Sequence, residues 1–140
     1  MEVFTKKMTV LEQHIDLMGH VNNAKYLEIF EEVRWDAIVS RGFDVPFIRK
    51  SQTGPVILEV NMKFLSEIRL REEISVTMEP LNYEGRVGQL RQKIIKKDGT
   101  LSCEADFVFG LFDLQARKLI APTPEWKMAV GLPSTTLGAR

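Results

Sequence analysis

The sequence predicts an α+β domain, in which one long helix lies against an antiparallel sheet. Three observations carry this. Between Asn22 and Gly42 apolar residues recur at helical spacing, and from Val56 onward they alternate with polar ones. Asp98-Gly99 is then a strong signal for a two-residue hairpin turn. A sheet with one apolar face needs a cover, and the chain holds a single long helical run to supply it.

Residues 3–11 combine Val3, Phe4, Thr5, Thr9, Val10 and Leu11 with two lysines, a composition suited to a strand at a sheet edge. An asparagine pair able to cap then precedes Tyr26, Leu27, Ile29, Phe30, Val33, Ala37 and Ile38, which places a helix over residues 23–41. Its apolar stripe is broader than a coiled-coil seam, so burial over much of its circumference is expected. Beyond Gly54-Pro55, Val56, Leu58, Val60, Met62 and Phe64 are expected on one face, opposite Glu59, Asn61 and Lys63. A second run alternates Ile74, Val76 and Met78 with Ser75, Thr77 and Glu79 before Pro80 and the turn-like Asn82-Tyr83-Glu84-Gly85. A third strand, about residues 87–96, alternates less cleanly. After the hairpin, Leu101, Cys103, Ala105, Phe107, Phe109 and Leu111 share one face. These four strands are expected to form an antiparallel meander. Residues 121–128 fit no element.

At 140 residues the chain suits one core, and residues 1–132 read as a single domain. The small, polar residues 133–140 are expected to be poorly ordered. Nineteen basic and nineteen acidic side chains cancel, which disfavours a nucleic-acid backbone or an anionic membrane as partner. The single cysteine, Cys103, excludes an intrachain disulfide and a cysteine-rich zinc site. With no apolar signal core at the N-terminus and no run long enough to span a membrane, the expectation is a soluble, cytoplasmic protein. One helix covers five strands poorly, so part of the apolar sheet is expected to meet a second subunit, in a homodimer or homotetramer.

The chemistry concentrates between the first strand and the helix. The run Glu12-Gln13-His14-Ile15-Asp16-Leu17-Met18-Gly19-His20-Val21-Asn22-Asn23 holds both histidines of the chain. Such a loop sets an acid or base beside the unpaired N–H groups of a helix start, which can bind a developing oxyanion.

Asp16-Leu17-Met18-Gly19-His20-Val21-Asn22-Asn23-Ala24-Lys25-Tyr26, continued by Leu27 and Glu31, resembles the signature of the 4-hydroxybenzoyl-CoA thioesterase family of hotdog proteins. The likeness is to the branch that carries a His-Val-Asn-Asn sequence. It implies a hotdog fold, a long central helix wrapped by a curved antiparallel sheet of five or six strands, with dimers pairing their sheets edge to edge. Active sites would then lie at the subunit interface. Members of the Tol-Pal-associated subgroup carry histidine where Asn23 stands here, whereas this chain has its histidine at His20. The resemblance therefore leans towards long-chain acyl-CoA and plant acyl-carrier-protein thioesterases.

By this resemblance Asp16 is the catalytic carboxylate, acting as general base or nucleophile, and His20, Asn22 and Asn23 complete the catalytic set. The backbone N–H at or near Asn23 would hold the thioester oxygen, and Gly19, Tyr26 and Glu31 would contact substrate. The implied substrate is an acyl-CoA or an acyl-carrier-protein conjugate, in fatty acid metabolism, with no cofactor beyond the CoA of the substrate itself. Two other functions are weighed beside hydrolysis: a hotdog enoyl-CoA hydratase or dehydratase, and a non-catalytic module that binds acyl thioesters.

The same residues have plainer readings. Asn22 and Asn23 cap a helix whatever else they do. His14, Asp16 and His20 lack a third or fourth ligand partner, so no metal is expected. Glu31 and Arg34 stand three apart on a helix and can form a surface ion pair. Cys103 falls on the apolar side of its strand, as a core thiol does.

Overall fold

The structure, a computed structural model, describes residues 2–133. Residues 134–140 of the expected disordered tail lie outside the described residues. The chain opens with β1 (Phe4–Thr9), passes through a 3-10 turn at Glu12–His14, and enters the long helix α1 (Asn23–Ser40). A short helix α2 (Val45–Ser51) follows, then β2 (Thr53–Phe64), β3 (Glu73–Glu84), β4 (Val87–Lys96), β5 (Leu101–Asp113), β6 (Lys118–Ile120) and helix α3 (Pro124–Ala129).

Helix α1 starts where the asparagine pair stands. Asn22 is extended at φ −71° and ψ 148°, and its side chain accepts the Ala24 N–H at 2.9 Å. Tyr26, Ile29, Phe30, Val33, Ala37 and Ile38 form its buried stripe. Within the chain that is one stripe rather than most of the circumference, for Leu27 and Val39 stay 42% and 44% exposed. The stripe packs on the inner face of the sheet, where Val76, Met78, Leu90, Ile94, Cys103, Ala105, Phe107 and Phe109 are buried.

The sheet runs β1-β3-β4-β5-β2, antiparallel throughout, with β6 pairing β5. The expected four-strand meander is therefore corrected: β3, β4 and β5 form one, but β2 lies on the far side of β5. The reason is the connection from Leu65 to Glu72, which is no tight turn. It buries Ile68 completely and takes hydrogen bonds from Val21 and Val10, so it carries the chain across the mouth of the sheet.

A bulge at Leu58 overturns the single phase expected for β2. Ile57 pairs with Phe109 and Glu59 with Val108, which leaves Leu58 without an opposite number. Pro55 and Ile57 face inward before the bulge, opposite Leu111 and Phe109. Val60, Met62 and Phe64 face inward after it, opposite Phe107, Ala105 and Cys103.

The blurred alternation of β4 has two causes on its inner face. Gly88 lies under the Tyr83 and Phe109 rings, and a Cβ there would stand 2.7–2.9 Å from them. Gln92 is fully buried, donating its amide to the Phe30 carbonyl at 3.1 Å. Helices α2 and α3 were not expected. Each is short and capped: Asp44 accepts the Phe47 N–H at 3.0 Å, and Thr123 the Trp126 N–H at 3.2 Å, with a proline in the first turn of both. Trp126 closes one end of the core and donates its indole N–H to the Tyr83 hydroxyl at 3.0 Å. No helix among the described residues is long and apolar enough to cross a membrane.

Candidate active site

The loop before α1 is a pinned hairpin turn. Ile15 and Val21 face each other as an isolated bridge, the Asp16 N–H donates to the His20 carbonyl at 3.1 Å, and the Gly19 N–H donates to the Asp16 carbonyl at 3.1 Å. Gly19 has φ +86°, which a side chain would strain, so glycine is what lets the turn close. Two bonds fix the turn to the body, Val21 N–H to Ile68 O at 2.8 Å and Asn22 N–H to His14 O at 3.1 Å. His14 is buried and uses Nδ1 to accept the Leu11 N–H at 3.0 Å, so it braces the loop.

This geometry points the half-buried Asp16 carboxylate at the helix start. Oδ1 accepts the Met18 N–H at 2.8 Å, and Oδ2 accepts the Asn22 side-chain amide at 3.4 Å. Desolvation alone would raise its pKa, but these two hydrogen bonds and the nearby His20 outweigh it and hold the carboxyl below its ordinary range. Asp16 is thus a carboxylate at neutral pH, with lone pairs still open on both oxygens.

Asn22 then disposes of the first helical N–H groups. Its side-chain oxygen takes the Ala24 N–H at 2.9 Å and its carbonyl takes the Lys25 N–H at 2.9 Å. The Asn23 N–H makes no hydrogen bond among the described residues. One donor at the positive end of α1 is left open beside a carboxylate.

The remaining site residues from the sequence fall in different places. His20 is half-buried in the same turn, its Nδ1 3.4 Å from the Val21 carbonyl, and its backbone bridges Arg69. Tyr26 is 3% exposed and sits edge-on to Phe64 in the core. Glu31 lies about two turns into α1, on the wall of a cavity of about 300 Å³ between α1 and the sheet. Trp35, Ile38, Pro55, Ile57, Phe109 and Trp126 supply much of the apolar lining.

Sequence reasoning missed the polar group of that cavity. Glu31 and Arg34 form no ion pair among the described residues. Instead Arg34 turns inward, donates from Nη1 to the buried Gln92 Oε1 at 3.0 Å, and lays its guanidinium 4.4 Å from the centroid of the Phe107 ring. Burial brings its pKa down to about 10, against an opposing pull from Glu31. Only the inward phase of β4 would have found this pair, and Gln92 looks like any surface glutamine in the sequence. Cys103 is a core thiol, pushed up to about 12 by burial.

Comparison with known proteins follows the same lines. Residues 10–130 match the family described as the thioesterase-like superfamily. The long-chain acyl-CoA thioesterase FadM of Escherichia coli K12 is 28% identical over 109 residues, which cover 77% of this chain and 82% of that protein. The crystal structure of YbaW, a probable thioesterase from Escherichia coli, superposes with a TM-score of 0.78 at 27% identity, covering 89% of this chain and 94% of that one. A Staphylococcus aureus protein characterised in complex with CoA, SAV2348, shares the fold with a TM-score of 0.86 at 24% identity over 92% of this chain and 82% of its own. A hotdog sheet around one long helix, a carboxylate at the helix start and a match over most of the chain converge: the protein belongs to the thioesterase-like superfamily and is a thioester hydrolase.

Proposed function

We propose that the protein hydrolyses acyl-CoA at the start of α1, with Asp16 as general base and the Asn23 N–H as oxyanion donor. The observation that carries this reading is the pairing of the two groups. The Asn22 side chain bonds both the Asp16 carboxylate and the Ala24 N–H, leaving the Asn23 N–H as an open donor. A donor fixed by a helix strengthens its interaction only as charge grows on the thioester oxygen, so it lowers the barrier rather than merely binding substrate.

In this mechanism Asp16 takes a proton from water as its oxygen adds to the thioester carbon. The oxyanion is held by Asn23. Collapse breaks the C–S bond, and the departing thiolate recovers the proton from Asp16, leaving free acid and CoA thiol. Direct attack by Asp16 would give an anhydride, and its hydrolysis at the Asp16 carbonyl would place a water oxygen in that side chain. A single turnover in ¹⁸O-labelled water detects that route, and the general base predicts no label in the protein. Helix α1 joins site to cavity: Asn23, Leu27, Glu31 and Arg34 recur at helical spacing beside the buried stripe and lead to Ile38 within it, a path for the acyl chain.

The assembly we propose is a homodimer made through the free edge of β2. Among the described residues that strand pairs only with β5, and it exposes Ile57, Leu58, Val60 and Phe64. The functional test is thiol release from short, medium, long and aromatic acyl-CoAs. Turnover of at least one is expected, whereas a folded protein that turns over none would contradict the substrate assignment.

A further inference from the structure

Arg34 is an anomaly in an apolar cavity. It is largely buried, its one side-chain hydrogen bond among the described residues goes to Gln92, and its face is stacked on Phe107. A guanidinium carries five N–H donors, so most of its hydrogen-bonding capacity is open towards the cavity. No carboxylate reaches it within 4.0 Å among the described residues, and Glu31 on the cavity wall is itself exposed. A plain alkyl chain filling this space would strip water from those donors and give nothing back, which is costly for a charged group.

We infer that the cavity is built for acyl groups carrying an oxygen acceptor far from the thioester, a hydroxyl or carboxylate that takes the open N–H groups of Arg34. This rests on the acyl-CoA reading above. The position of the oxygen follows from α1: Asn23 and Arg34 are separated by a rise of about 16 Å, and an arginine on a helix reaches back towards the N-terminus by roughly a turn. At the ~1.2 Å per chain atom of an extended backbone, roughly eight to twelve atoms separate thioester from acceptor. An oxygen next to the thioester would not reach. Arg34 therefore acts in specificity, and Gln92, bonded to both Arg34 and the Phe30 carbonyl, is its positioning residue.

The test compares chains of equal length with and without a terminal oxygen. For the wild-type protein, kcat/KM on the CoA monoesters of octanedioic and decanedioic acids is expected to exceed that on octanoyl- and decanoyl-CoA by ten-fold or more. Arg34→Met should abolish or invert that ratio, while Arg34→Lys, which keeps charge but loses the planar fork, should retain part of it. A wild-type preference for the alkyl chains, or an unchanged ratio in a folded Arg34→Met variant, would overturn the inference. A second readout needs no hydrolysis and no variant. Both tryptophans of the chain, Trp35 and Trp126, line the cavity, so neutral amides standing in for the thioester can be titrated by intrinsic fluorescence. The monoamide of octanedioic acid, with one far carboxylate, should bind more tightly than octanamide, and the reverse order would overturn the inference. Absence of turnover on every acyl-CoA contradicts the hydrolytic reading and leaves this binding comparison standing on its own.

Discussion

At the scale of single residues, the account turns on two atoms, a carboxylate oxygen and one backbone N–H. Asn23 occupies the first position of α1, where proline is accepted because that N–H has no partner within the helix. Asn22 before it is already extended, as a residue preceding proline must be. Asn23→Pro should therefore fold with a melting temperature close to the parent and lose about 10²–10³ in kcat, the usual effect of removing one oxyanion donor. Equal loss of activity and of melting temperature would point to structure rather than chemistry. The pH profile offers an independent check. A carboxyl held below its ordinary range keeps its base form to lower pH than a free carboxylate does, so the acid limb of kcat/KM should lie below the usual carboxylate range. Asn22→Ala removes one of the hydrogen bonds that lower it, and should move that acid limb upward as well as costing about 1 kcal/mol of capping.

At the scale of elements, what was legible depended on whether the signal was local. The strand at the start, the helix from Asn23 and the inward face of β5 could be read directly, since each rests on its own periodicity. The polar loop and the asparagine cap before α1 were legible because they are written in adjacent residues, whereas the part given to Asp16 and Gly19 came from the family resemblance and the turn they form came from the structure. The neighbour of β2 was not, since strand order is decided by where Leu65 to Glu72 travels, and the bulge at Leu58 belongs to the pairing with β5 rather than to β2 alone. Arg34 and Gln92 were hidden for the same reason: their meeting needs α1 and β4 in register. Helix α2 had a readable start, Asp44 before Pro46, but it is too short to show periodicity. The Gly88 position gives a test of packing. Gly88→Ala would push a methyl into the Tyr83 and Phe109 rings, and should destabilise by about 1–3 kcal/mol, seen as a lower midpoint in urea. A neutral substitution would mean these rings are less tightly held than the geometry implies.

At the scale of the whole molecule, the described residues leave the long β2 edge open, with Leu17 fully and Met18 largely in solvent beside Asp16. A monomer that buries its core on one side of α1 still presents apolar surface that water disfavours. Light scattering should give at least twice the mass of one chain. Val60→Lys, which puts a charge on the open edge, should shift the protein towards monomer, and a monomeric parent would contradict the proposed edge pairing.

The central claim is that Asp16 carries the hydrolysis, and Asp16→Asn tests it most directly. The amide keeps the size of the side chain and can still accept from Met18, but it is no longer a base at neutral pH. On the best acyl-CoA substrate, thiol release should fall by about 10²-fold or more with the melting temperature preserved. A variant that keeps most of its kcat would contradict the account and place the reacting base elsewhere.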